Sequence, residues 1–153
     1  MAAKQSAGIL LHRVRDGVRQ VFLVHPGGPI YASKDDGVWQ IPKGEFDSED
    51  PKDCALREFE EETGQRVSGE MAALTPLKQR GKTVYAWVLE GDCDAGQVRS
   101  NLFTMEWPPK SGHMREFPEV DRAAWFTLAE ARAKILPSQA PLLDEFEQRL
   151  APT

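Results

Sequence analysis

The sequence predicts an α/β fold in which a mixed sheet carries helices on both faces. Three observations support this. Apolar, strand-like segments precede an acidic helical stretch that starts at Pro51, more strand-like segments follow it, and two further helical stretches close the chain.

Taken in order, Ser6 to Arg13 (SAGILLHR) reads as a strand. The Asp16-Gly17 pair signals a hairpin turn, and Arg19 to His25 is the returning strand. Pro26-Gly27-Gly28-Pro29 is a loop, and His25 beside it reads as a surface or loop residue. Lys34 to Gly37 forms a second turn. Val38 to Ile41 is expected to be a short strand that delivers Pro42-Lys43-Gly44, with Trp39 used in packing. Beyond the acidic helix, Leu74 to Arg80 and Thr83 to Glu90 read as strands. In the second, Val84, Ala86 and Val88 alternate with Tyr85, Trp87 and Leu89. Both sides are apolar, so the strand should be central and covered on both faces. Gly91 to Gln97 is turn-rich, Ser100 to Trp107 is a further strand, and Pro108 to Val120 is a long loop. Arg122 to Phe126 is a short strand. Thr127 to Glu130 has the form of a capping box opening a helix to about Ile135, and Pro137 breaks that helix. Pro141 to Leu150 closes the chain as a helix with Leu142, Leu143, Phe146 and Leu150 as its apolar stripe.

Length and composition bound the function. With 153 residues, the chain is expected to form a single domain over residues 1–153 that buries roughly two-thirds of its unfolded surface. A formal charge of −5 with no basic stripe argues against a nucleic-acid polymer as partner, and no apolar run reaches a membrane span. Cys54 and Cys93 make no disulfide framework, which points to a cytoplasmic setting. Oligomeric state leaves no sequence signal.

The chemistry concentrates between Gly44 and Gln65 (GEFDSEDPKDCALREFEEETGQ). Asp50 is suited to the N-cap, Pro51 to the first helical position, and Gly64 to the left-handed residue that stops the helix. Glu58, Glu61 and Glu62 stand at i, i+3 and i+4, so their carboxylates share a face, while Ala55, Leu56, Phe59 and Thr63 can turn to a core. Like charges on adjacent turns repel, and a hard divalent cation with a preference for oxygen ligands converts that repulsion into binding.

These residues resemble the Nudix box, in which a glycine, five intervening residues, a glutamate, seven more residues and an R-E-U-x-E-E-x-G-U helix, with U aliphatic or bulky apolar, recur in fixed register. Glu49, Arg57, Glu58, Phe59, Glu61, Glu62 and Gly64 match in register. Two positions depart from the pattern. Four residues rather than five separate Gly44 from Glu49, and Gln65 replaces an apolar residue. The Trp39-Gln-Ile-Pro-Lys-Gly44 run is similar to the branch of the family that acts on diadenosine or inositol polyphosphates.

The resemblance implies an α/β/α sandwich with a mixed sheet and a metal-dependent hydrolysis of a pyrophosphate linkage in a nucleoside diphosphate attached to another group. It implies Mg²⁺ or Mn²⁺ as cofactor, with Glu58, Glu61 and Glu62 as ligands and Glu49 at the metal edge. Glu61 or a loop acid would take the proton from water, Arg57 would orient a box glutamate, and Lys43 and Gly44 would meet the substrate phosphates. Glu116 and Glu119 are the loop acids in question. The partner expected is a small nucleotide or polyphosphate. The alternative is a nucleotide-binding or regulatory module whose shortened loop has weakened catalysis.

Overall fold

The computed structural model describes residues 4–79 and 81–150. Strand β1 (Lys4–Arg15) and β2 (Val18–Pro26) form the expected hairpin. Its turn residues, Asp16 and Gly17, both take positive φ, the conformation a two-residue turn of this hand requires. Strand β3 is Lys43–Phe46 and helix α1 is Pro51–Thr63. Then come β4 (Met71–Ala73), β5 (Leu77–Gln79), β6 (Lys82–Glu90), β7 (Leu102–Glu106), β8 (Met114–Pro118) and β9 (Val120–Thr127). Helices α2 (Leu128–Lys134) and α3 (Ala140–Leu150) complete the order.

The main sheet runs β4-β6-β1-β2-β9, with β5 beside β6. Among the described strands only β1 and β6 pair in parallel, so the sheet is mixed. On its other edge β1 is shared: residues 5–8 pair with β3 and residues 12–15 with β2. Gly8 makes this possible, because a Cβ there would lie 2.4 Å from the Pro42 carbonyl oxygen.

Two apolar layers fill the sandwich. On one face Ala7, Ile9 and Leu11 of β1 and Phe22 of β2 pack against Cys54, Ala55 and Phe59 of α1. On the other, Leu10, Val21, Leu23 and Ala86 meet Ala131 of α2 and Leu142, Leu143 and Phe146 of α3. Strand β6 is covered on both sides, as its alternation predicted: Ala86 and Val88 face one layer, Trp87 and Leu89 the other. The Thr127–Glu130 capping box is present.

Five expectations are corrected. Val38 to Ile41 makes only isolated bridges, Val24 to Gln40 and Trp39 to Ile135. The strand begins after it, at Lys43, where β1 offers an unpaired edge. The expected strand from Leu74 shrinks to β5, preceded by the unanticipated β4; Arg80 lies outside the described residues. Pro108 to Val120 is not one loop, because β8 pairs with β7 as a separate two-stranded ribbon. His25 is fully buried rather than at the surface. One ring nitrogen lies 2.8 Å from the Asp121 carboxylate and the other 2.6 Å from the Lys34 carbonyl oxygen, which ties down the loop that follows β2. Leu150, the last residue of α3, is exposed and stands apart from the buried stripe of Leu142, Leu143 and Phe146.

Candidate active site

Helix α1 is built as its sequence required. The Asp50 carboxylate accepts from the backbone N–H of Lys52 at 2.8 Å and of Asp53 at 3.3 Å, and Gly64 closes the helix with φ 75°. Burial of Phe59, Cys54 and Ala55 fixes its rotation. That rotation turns Glu62 inward and sends Glu58 back along the helix toward β3.

Gly44 is where the two elements meet. A Cβ there would sit 1.9 Å from the Glu58 carboxyl carbon, so only a glycine lets that carboxylate lie against the strand. The Cys54 thiol donates to the Gly44 carbonyl oxygen at 3.6 Å, and burial pushes that thiol up to about 11. It is filler between helix and strand rather than a nucleophile.

A cleft of about 170 Å³ opens beside this junction, lined by Pro26, Gln40, Lys43, Glu62, Glu119 and Val120. Burial, then the charges of Glu58 and Glu119, push the Glu62 carboxyl up to about 8, with Lys43 opposing. Burial and the Glu61 charge raise Glu58, and Arg57 offsets part of this. Burial followed by the Glu61 charge also raises Glu119. The Lys43 ammonium is lowered by burial and by Lys82, against the pull of Glu62, Glu45 and Glu58.

Glu119 reaches the cleft because its backbone is clamped to the end of α1. The Asn101 N–H donates to the Glu61 carbonyl oxygen at 3.0 Å, and the Glu119 N–H donates to the Asn101 carbonyl oxygen at 2.9 Å. The Val120 N–H donates to the Ser100 hydroxyl at 3.0 Å. Glu116, the other loop acid, sits exposed on β8 opposite Thr104 and does not line the cleft.

Arg57 occupies the outer side of the acidic face. One terminal nitrogen donates to Glu58 and to Glu61, each at 3.0 Å, while Nε and the other terminal nitrogen take both carboxylate oxygens of Glu49. The four-residue segment from Gly44 thus delivers Glu49 to the guanidinium, which lowers its carboxyl pKa. Among the described residues, no three acidic, histidine or cysteine side chains already converge on one point. The donor set is nonetheless all oxygen, and the desolvated Glu62 beside Glu58 and Glu119 is an anionic environment that fits a hard divalent cation.

Sequence reasoning missed Gln40 and the Ser100-Asn101 clamp. Gln40 carries no charge or motif, and the clamp acts through backbone groups and one serine hydroxyl.

No match was found among curated proteins. Solved structures do resemble the chain. The Nudix domain of Shewanella oneidensis NrtR, complexed with ADP ribose, aligns with a TM-score of 0.70 at 17% identity, over 99% of this chain and 90% of that one. A Caenorhabditis elegans Ap4A hydrolase aligns at 0.65 and 22% identity, over 96% and 97%. A MutT structure from a study of the Aliivibrio salmonicida and Vibrio cholerae proteins aligns at 0.57 and 15%, over 94% and 95%. At these identities the alignments speak to the fold. The NUDIX domain model matches residues 4–146, which span the acidic helix, Glu119 and every strand of the sheet. The chain belongs to the Nudix family, whose hydrolases act on pyrophosphate bonds.

Proposed function

We propose that this chain is a Mg²⁺- or Mn²⁺-dependent pyrophosphohydrolase acting on a nucleoside diphosphate linked to another group, with dinucleoside polyphosphates as the leading substrates to test. The observation that carries the reading is the meeting of Glu62, Glu119 and Lys43 at one cleft, with the Glu58 carboxylate beside it against Gly44 and the Glu62 carboxyl pushed up to about 8.

A divalent ion bound there would neutralise phosphate charge and lower the pKa of water. Glu58, Glu61 and Glu62 are the residues to hold it, with Glu119 across the cleft. Lys43 presents its ammonium to a phosphate oxygen, and Gly44 leaves the backbone open to close approach. Arg57 acts as a positioning residue, fixing Glu58 and Glu61 relative to each other through one planar group anchored on Glu49. Either Glu61 or Glu119 accepts the proton of the attacking water. Burial and then the Glu61 charge raise the Glu119 carboxyl from its ordinary value, which suits that role. Ap4A hydrolase and the ADP-ribose complex of NrtR, similar in fold, support a nucleoside diphosphate as the recognised group.

A second reading is a nucleotide-binding or regulatory module. It is favoured by the Arg57 fork, which engages two of the helix glutamates at once. A panel of nucleotide and inositol pyrophosphates, assayed with Mg²⁺ and with Mn²⁺, separates the two. Metal-dependent release of a nucleoside monophosphate is expected. Saturable binding without turnover for either metal would establish the second reading instead.

A further inference from the structure

Strand β9 gains a residue on its partner β2 where the two near the acidic cleft. His25 pairs with Arg122, but the next residue, Pro26, pairs with Val120, so Asp121 has no opposite number. This is a β-bulge, and its effect shows in the layer each side chain joins. Phe126 and Ala124 pack in the layer of α2 and α3, while Trp125 and Ala123 pack in the layer of α1. Strict alternation would send Val120 to the first of these layers. It packs in the second and lines the cleft. The extra residue supplies the change of face.

Asp121 meets His25 instead of pairing. Its carboxylate lies 2.8 Å from Nδ1 of that fully buried ring. A carbonyl can only accept, so Nε2 donates to the Lys34 oxygen, at 2.6 Å. Trp39 packs against the ring with centroids 5.1 Å apart, and its own Nε1 donates to Asp35 at 2.8 Å. The ring is thus held at both nitrogens and along one side, a fixed point for Asp121 to reach. In a regular register Asp121 would stand opposite Pro26. Its carboxylate would then turn to the other face, away from His25, and the buried Nδ1 would lose its partner. Val120 would leave the cleft, and Glu119 would move along by one residue, about 3.4 Å.

We propose that His25 and Asp121 are positioning residues of the acidic site: their contact selects the bulged register and so places Glu119 and Val120 at the cleft. The effect on turnover rests on the pyrophosphohydrolase reading, whereas the placement itself is visible without turnover.

The test compares Asp121→Ala, which removes the contact, with Asp121→Asn, which keeps the shape and can still meet Nδ1. Crystal structures of both variants report the register. Asp121→Ala should show position 121 opposite Pro26 and Val120 turned from the cleft, and Asp121→Asn should keep the bulge. On a substrate that wild type turns over, Asp121→Ala should lower kcat at least about tenfold and Asp121→Asn less than about threefold, because small misplacements near the reacting atoms are costly. KM should move little in either. Asp121 acts through Glu119, so adding Asp121→Ala to Glu119→Gln should slow that variant by no more than about twofold. Melting temperatures check the folds, and Asp121→Ser, too short to reach Nδ1, replaces Asp121→Ala if the latter does not fold. An intact bulge without the Asp121 carboxylate overturns the proposal. So do losses that multiply in the double variant, the mark of a general structural role. If wild type turns over no substrate of the panel, the catalytic reading fails, and the register in the two crystal structures decides the placement by itself.

Discussion

Glu61 and Glu62 follow one another on α1, yet roughly 100° of helical rotation places them in different surroundings. Glu61 leans outward, its side chain 37% exposed, and accepts from Arg57 at 3.0 Å. Glu62 is 9% exposed and shares its cleft with Lys43 and Glu119. The first is neutralised by a planar cation that also holds Glu49 and Glu58. The second is desolvated beside other carboxylates, and burial pushes its carboxyl up to about 8. The same residue type thus does two jobs, and the environment rather than the side chain assigns them.

Four substitutions or conditions would break or sharpen that contrast. The largest effect is expected from Glu61→Gln, which should lower turnover at least about a hundredfold on the true substrate, the scale of general-base and metal-activation effects. Its stability should change by less than about 1 kcal/mol, since the Arg57 pair it loses is exposed. Steady-state kinetics and a denaturant melt on the same sample check both halves. Next, Arg57→Lys should reduce kcat by about tenfold or more, because a point charge cannot serve three carboxylates as a fork does. A fall confined to KM would show that Arg57 meets substrate instead of holding the acids.

The third concerns metal. Millimolar Mg²⁺ or Mn²⁺ should raise the melting temperature, by an amount equivalent to about 2.7 kcal/mol at a hundred times the dissociation constant. Glu62→Ala or Glu58→Ala should shrink the shift. An unshifted wild type in a thermal scan would remove the metal site. The smallest effect concerns metal-free protein and pH. Folding raises the Glu62 pKa, so the fold is free of that charge at low pH and loses stability as pH rises toward and through about 8. Glu62→Gln should therefore match wild type near pH 5 and melt about 3 °C higher near pH 9 in chelator. Glu61→Gln should show no such gain. Parallel melts of the two variants would reveal whether the buried and exposed acids differ as their surroundings imply.

How much of this was legible in the sequence depended on range. The acidic helix was readable to the residue, because Asp50, Pro51 and Gly64 act on their own backbone and the spacing of Glu58, Glu61 and Glu62 needs no tertiary information. The polarity of β6 was readable from alternation. The ribbon of β7 and β8 was not, since Pro108 to Val120 mixes proline, glycine and charge, and the mostly exposed β8 (MREFP) carries no buried apolar face to read. Of the two loop acids, only Glu119 lines the cleft. What separates it from Glu116 is a backbone hydrogen bond to Asn101, which no side-chain pattern announces. His25 was misread for a related reason: a histidine beside a loop becomes informative only once its complete burial is known.

The shared edge of β1 has a consequence for how amide hydrogens will exchange with solvent. Residues 5–8 are bonded to β6 on one side and to β3 on the other, and Ala7 and Ile9 to Leu11 are fully buried. Their amides should be released only in the slowest, global opening of the molecule. Glu119 instead links the ribbon of β7 and β8 to β9: its N–H donates to the Asn101 carbonyl oxygen, its carbonyl oxygen accepts from the Gly27 N–H, and Val120 pairs with Pro26. The bank of the cleft that carries Lys43 therefore rests against the most protected strand of the protein, while the bank that carries Glu119 is held at the end of the main sheet, where exchange should be faster.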